Sequence, residues 1–258
     1  MLTRQFHIFL NALMFYTRIP VPKWMKHDED MLNQATVYFP VIGWIVGAIS
    51  SLVFLLFSQL LPFPIAILLS LVASILTTGG FHEDGLADVC DGFGGGWTKQ
   101  KILDIMKDSR LGTFGLLGLG LVMVLKVSSL FYIGKDYQIY ALMLVHPLSR
   151  YAALSMIFTH EYVREDALSK AKPIGKKIGI DAFATASIFA LLPMCIVVYV
   201  TQDWRIIGVL VPMFLMRVYL ARFFTKWLGG YTGDCLGSIQ QLTEVIAYLY
   251  LVGIWTVK

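Results

Sequence analysis

Seven apolar segments, at 36–60, 63–79, 112–133, 138–159, 182–201, 205–227 and 237–256, constrain this chain more than any motif in it. Each is at or near the roughly 20 residues that a helix needs to cross about 30 Å of hydrocarbon. Without water in that layer, backbone N–H and C=O groups must be satisfied within the segment, and an α-helix does this. The fold class predicted is an all-α polytopic integral membrane protein: about seven transmembrane helices plus a short N-terminal interfacial or re-entrant helix. Composition agrees, with 15% charged residues and a mean hydropathy of +0.69, against about a quarter charged in soluble domains. The lipid bilayer is therefore a partner. The net charge of +4 is small, and no basic patch is interleaved with aromatics, so nucleic acid is not expected as a partner. Residues 1–258 read as a single membrane-embedded domain; a homo-oligomer is compatible with it, and nothing in the sequence decides the point.

Local signals refine the path. Phe6, Phe9, Leu10, Leu13 and Met14 alternate with Arg4, Gln5 and Asn11, as in a helix lying at an interface. The stretch lacks the cleavage site of a signal peptide. Gly43 and Gly47 form a GxxxG that permits close helix contact. Pro62 and Pro64 turn the chain into the second span, which runs directly into Gly79-Gly80. The segment that follows is expected to extend past the membrane surface or to line a polar cavity. Lysines and arginines favour alternate loops: Arg4, Arg18, Lys23 and Lys26, then Lys99, Lys101, Lys107 and Arg110, then Arg164, Lys170, Lys172, Lys176 and Lys177. Lys135, Arg205 and Lys258 are all that the opposite side holds. This bias predicts a cytoplasmic N-terminus, with the 79–112 motif and the 228–237 loop facing the cytoplasm. Cys90, Cys195 and Cys235 have neither disulfide nor zinc spacing and read as free thiols.

The chemistry concentrates in one place. Glu83, Asp84, Asp88 and Asp91 fall within nine residues, a self-repelling group unless a cation sits among them. In a helix Asp84, Asp88 and Asp91 stand at i, i+4 and i+7 on one face, which suits Mg²⁺ held by oxygen ligands and shared with substrate phosphates. A solvated acidic loop is the plainer alternative. Lys107-Asp108-Ser109-Arg110 follows, just before the third span. Ser109 or Thr113 would cap that helix, whose N-terminus, with Lys107 and Arg110, would then seat a phosphate. Within the spans, His146, Arg150 and Arg217 are costly polar groups expected to face a site for an anionic substrate. Lys126 and Arg222 read rather as snorkelling or span-end anchors. Gln240 and Glu244 share a face of the last span. The glycine-rich loop 228–237, with Thr232, Gly233 and Asp234, lets backbone approach a ligand closely.

These blocks resemble the cobalamin synthase (adenosylcobinamide-GDP ribazoletransferase) family over nearly the whole chain. The likeness is carried by Phe15-Tyr16-Thr17-Arg18-Ile19-Pro20-Val21-Pro22, by Gly79 through Gly92, by Ile105 through Gly112, and by Gly230 through Gly237. The family pattern places an apolar residue where this chain has Glu83, so Glu83 is not assigned as a ligand. The resemblance implies a Mg²⁺-dependent enzyme of the cytoplasmic membrane. Adenosylcobinamide-GDP and α-ribazole, or its 5′-phosphate, would give adenosylcobalamin, or its 5′-phosphate, plus GMP. In that reading Asp84, Asp88 and Asp91 hold the metal, and Lys107, Ser109, Arg110, Arg150, Arg217, Thr232, Gly233 and Asp234 bind substrate. Asp91 or Asp88 takes the proton, with Asp108, Asp234 and His82 as alternatives. Two other classes share part of this pattern. The CDP-alcohol phosphotransferases also cluster aspartates at a helix end, but an Ala-Arg that they carry is missing after Asp88. A cation-coupled transporter would use Arg150, Arg217 and Glu244, but no inverted repeat is found.

Overall fold

The computed structural model describes residues 2–25, 29–163 and 178–256. Of the cations used to orient the chain, Lys26, Arg164, Lys170, Lys172, Lys176, Lys177 and Lys258 lie outside the described residues. Helix α1 (Leu2–Tyr16) and the short α2 (Glu29–Ala35) lead through a 3₁₀ turn into α3 (Phe39–Phe57). Then come α4 (Phe63–Thr78), α5 (Phe81–Gly95), the short α6 (Lys99–Ile105), α7 (Thr113–Ile133), α8 (Gln138–Thr159), α9 (Ile180–Thr201), α10 (Leu210–Leu228) and α11 (Gly233–Thr256). Among the described residues the secondary structure is helical apart from an isolated bridge between Tyr162 and Tyr231.

Six stretches are long and apolar enough to cross a membrane: Met31–Phe57, Thr113–Ile133, Gln138–Thr159, Ile180–Thr201, Trp204–Leu228 and Gly233–Thr256. Many of their leucines and valines, among them Leu116, Leu121 and Val124 of α7, point outward, as side chains do when the surrounding solvent is hydrocarbon. The all-α polytopic fold expected from the sequence is the one observed.

The seventh segment differs from a simple span. Helix α4 ends at Thr78, and the chain turns by 88° into α5. Gly79 and Gly80 produce the turn, with φ of 69° and 72°, a left-handed conformation that costs most L residues about 1–2 kcal/mol. Gly79 is also shielded, since a Cβ there would lie 2.3 Å from Arg18 Nε. The Arg18 N–H donates to the Thr77 carbonyl at 2.7 Å. Arg18, read in the sequence as one more cation of the inner loops, thus clamps the corner.

The bundle is tied by close backbone contacts. At Gly43 and Gly47 α3 meets α8 so tightly that an added Cβ would sit 2.6 Å from Pro147 Cα and 2.9 Å from the Leu142 carbonyl oxygen. The expected GxxxG is therefore a real crossing point. Helix α5 lies against α7 and α11. The Tyr162–Tyr231 bridge draws the end of α8 to the loop before α11. The acidic helix, the last turn of α8 and the glycine-rich loop consequently share one end of the bundle.

Candidate active site

Helix α5 carries two opposed sets of polar groups, because residues advance by about 100° around a helix axis. His82 is buried, whereas Asp84 is exposed and Asp88 half-buried on the other side. Where α5 crosses the start of α11, Gly85 makes the close approach: a Cβ on it would lie 3.1 Å from Asp234 Cα. Gly237 meets the His82 carbonyl in the same way, at 3.1 Å. These two glycines bring the aspartate face up to the glycine-rich loop. Thr232 caps α11, accepting from the Cys235 N–H at 3.4 Å while its hydroxyl reaches Asp234 Oδ2 at 3.4 Å. Gly233 is exposed at the mouth of this corner.

Asp91 behaves differently from Asp84 and Asp88. Its two carboxylate oxygens accept from the backbone N–H groups of Gly112 (2.7 Å) and Gly115 (2.8 Å) at the start of α7. The sequence pointed to Ser109 or Thr113 as the cap of this helix. Gly112 occupies the cap position and has no side chain to offer, so a carboxylate from α5 satisfies the orphaned donors instead. The predicted phosphate seat at this terminus is thereby already filled by an anion. Lys107, Ser109 and Arg110 remain at the exposed surface beside it. Arg110 is held by Asp108, its Nε donating at 3.0 Å. Hydrogen bonds from Arg110 to the Asp108 carboxylate hold its pKa down at about 2.

The other face of α5 enters a buried polar network that the sequence reading resolved only in part. Lys126 of α7, expected to snorkel, is buried, with Nζ 2.8 Å from Glu244 Oε1 and 2.6 Å from Gln241 Oε1. Full burial of this lysine favours a partner within the bundle over a reach to the surface. Gln241 Nε2 donates to Glu83 Oε1 at 2.9 Å, so the acidic residue set aside as a ligand anchors α5 inward. Glu244 Oε2 also lies 3.5 Å from His146 Nδ1 and accepts from Gln240. Arg150 Nη1 donates to the His146 carbonyl at 3.0 Å. His82 and Arg150, assigned by sequence to catalysis and substrate binding, both belong to this interior, with His82 stacked on Phe39 at 5.6 Å. The signal was available in the spans, in a lone lysine and a lone glutamate on different helices.

Arg217 sits elsewhere. Its Nε donates to Ser155 Oγ at 2.8 Å and its Nη2 to the Ser155 carbonyl at 2.7 Å, on the α8–α9–α10 side of the bundle and away from the α5–α7–α11 corner.

Among the described residues no three His, Cys, Asp or Glu side chains close into a metal cage. What α5 offers is two carboxylates on one face, Asp84 exposed and Asp88 half-buried one helical turn on. That set fits Mg²⁺, which commonly takes one or two carboxylates and leaves the rest of its shell to substrate phosphates and water.

An acidic helix set at 88° to the helix before it and packed at one end of a helical membrane bundle defines the class: a polytopic membrane protein with a polar site at that end. Comparison with known proteins narrows this. The family model for cobalamin-5-phosphate synthase matches residues 8–252, and the chain belongs to that family. An adenosylcobinamide-GDP ribazoletransferase of Shewanella frigidimarina is 46% identical over 97% of this chain and 96% of its own length. One from Leptospira interrogans is 44% identical over 98% of both chains. No solved structure matches.

Proposed function

We propose that this protein is the transferase that joins adenosylcobinamide-GDP to α-ribazole, or to α-ribazole 5′-phosphate, releasing GMP and giving adenosylcobalamin or its 5′-phosphate. The observation that carries the reading is full-length similarity to ribazoletransferases together with the placing of Asp84 and Asp88 on one face of α5. A ribose hydroxyl of the acceptor attacks the phosphorus that bears the cobinamide arm. One P–O bond forms, the P–O bond to GMP breaks, and the hydroxyl proton passes to a carboxylate.

Asp84 and Asp88 would hold Mg²⁺, which when bound would supply charge neutralisation for the phosphoryl transfer. Asp88, half-buried against the crossing with α11, is the preferred proton acceptor, with Asp234 beside it as the alternative. Asp91 positions rather than reacts: it fixes the start of α7 and with it the Lys107–Arg110 turn. Arg110 is free to exchange Asp108 for a substrate phosphate because the pair is exposed and exchanges one anion for another. Thr232 and Gly233 shape the wall of the corner. We place the site at the cytoplasmic face of the inner membrane, from the lysine and arginine bias of the loops.

The decisive assay supplies purified protein in lipid with adenosylcobinamide-GDP and α-ribazole, with and without Mg²⁺. GMP release that requires both substrates and the metal is expected, and Asp84→Asn and Asp88→Asn are expected to abolish it while leaving the protein folded. A fully active Asp88→Asn would overturn the metal assignment. CMP release from a CDP-alcohol in place of GMP release would assign the chain to the other phosphotransferase chemistry.

A further inference from the structure

A groove of about 490 Å³ runs between α8, α9 and α10, and no residue of the acidic helix lines it. Its polarity is one-sided. Ser155, Thr159 and Arg217 stand at one end, and the rest of the wall is apolar, reaching down to Leu148, Leu191 and Leu210. From Thr159 to Leu148 α8 runs eleven residues, about 16 Å at 1.5 Å per residue. That is close to half of the roughly 30 Å hydrocarbon layer, the depth of a single leaflet. The same order holds on the other walls, from Phe183 to Leu191 on α9 and from Arg217 back to Leu210 on α10. Phe214 and Phe158 of the wall are exposed, so the groove opens sideways toward the lipid.

Arg217 gives the mouth its charge. Its guanidinium lies at the level of the last two turns of α8, donating to Ser155 and Thr159. Among the described residues it forms no ion pair with a carboxylate. A guanidinium level with the last turns of α8, held in place by neutral oxygens, retains donor capacity for an anion.

We propose that this groove binds one phospholipid of the surrounding leaflet, with an acyl chain along α8 and the phosphate on Arg217. Charge, length and the direction of the polarity gradient all match that ligand. An acyl chain without a phosphate would leave the guanidinium uncompensated. A free phosphate would leave the apolar floor unfilled.

The test is native mass spectrometry of the full chain in neutral detergent. It is titrated with phosphatidylglycerol or with diacylglycerol carrying the same acyl chains. Phosphatidylglycerol is expected to be retained about tenfold more strongly, the worth of one charge-assisted contact. Arg217→Gln should erase that preference. Ala152 also lines the groove, and Ala152→Trp, which fills it without touching the charge, should weaken retention of both lipids. Arg222→Gln, an exposed arginine on the same helix, should change neither. Equal retention of the two lipids by the unaltered protein would overturn the proposal, as would equal losses in Arg217→Gln and Arg222→Gln. If Arg217→Gln does not fold, retention unaffected by Ala152→Trp refutes the site by itself. Displacement of phosphatidylglycerol by adenosylcobinamide-GDP would overturn it too, by making Arg217 a substrate contact.

Discussion

Removing Lys126 tests the buried network more directly than any other change. Its side chain is 3% exposed and that of Glu244 2%, with 2.8 Å between Nζ and Oε1. Breaking a buried pair from one side leaves a charge stranded, which costs about 3–5 kcal/mol. In Lys126→Met the remaining Glu244 keeps its hydrogen bond from Gln240 and has His146 Nδ1 at 3.5 Å. The expected loss is therefore near the lower bound, about 3 kcal/mol, or roughly a hundredfold in the folding equilibrium. Glu244→Gln strands Lys126 with only Gln241 and should cost a similar amount. The double variant removes both charges and keeps hydrogen-bonding capacity, so it should lie within about 1 kcal/mol of the unaltered protein. The two changes would then be strongly non-additive. The assay is unfolding in mixed micelles at rising denaturing-detergent fraction, followed by helical circular dichroism. Losses below about 1 kcal/mol in both single variants, or simple additivity, would refute the reasoning, because they would mean that Lys126 reaches the surface and has no buried partner.

Asp91→Asn should cost about 1–2 kcal/mol, since an amide oxygen replaces only one of the two acceptors facing Gly112 and Gly115; a lowered thermal midpoint together with reduced GMP release would show it. Gly85→Ala places a Cβ 3.1 Å from Asp234 Cα. It should push α5 and α11 apart, at about 1–3 kcal/mol of stability, and turnover measured at saturating substrate should fall further than folding does. Asp108 has its pKa lowered from 3.8 to about 2 by Arg110. Its pairing is thus complete above the unfolded value and is lost only as pH falls through about 2. The activity ratio of Asp108→Asn to the unaltered protein should accordingly stay constant from pH 5 to pH 9, and a ratio that drifts with pH would contradict it.

The spans were legible because the bilayer enforces both their length and their composition, and the GxxxG of α3 because close crossing needs small residues. The aspartate face could be read from its helical spacing alone. What escaped was long-range. Asp91 had the same spacing as Asp84 and Asp88, but its partners are backbone donors on a helix some twenty residues on, invisible to any count of side chains. Arg150 read as a substrate contact because it is charged within a span, and His82 as a candidate base because it adjoins the carboxylates; both are buried in the interior network. The corner at Gly79–Gly80 fell where a span was counted, since two glycines mark a turn without stating its angle.

Helix α5 rests mainly on α11, which lies more than a hundred residues later in the chain. During synthesis the aspartates therefore emerge well before the surface they dock against, and Gly237 and Gln241 reach them only with the final span. A chain stopped before α11 would carry Asp84 and Asp88 without the helix that α5 packs against. The order of the helices along the chain thus makes the support of the acidic face a late event in synthesis.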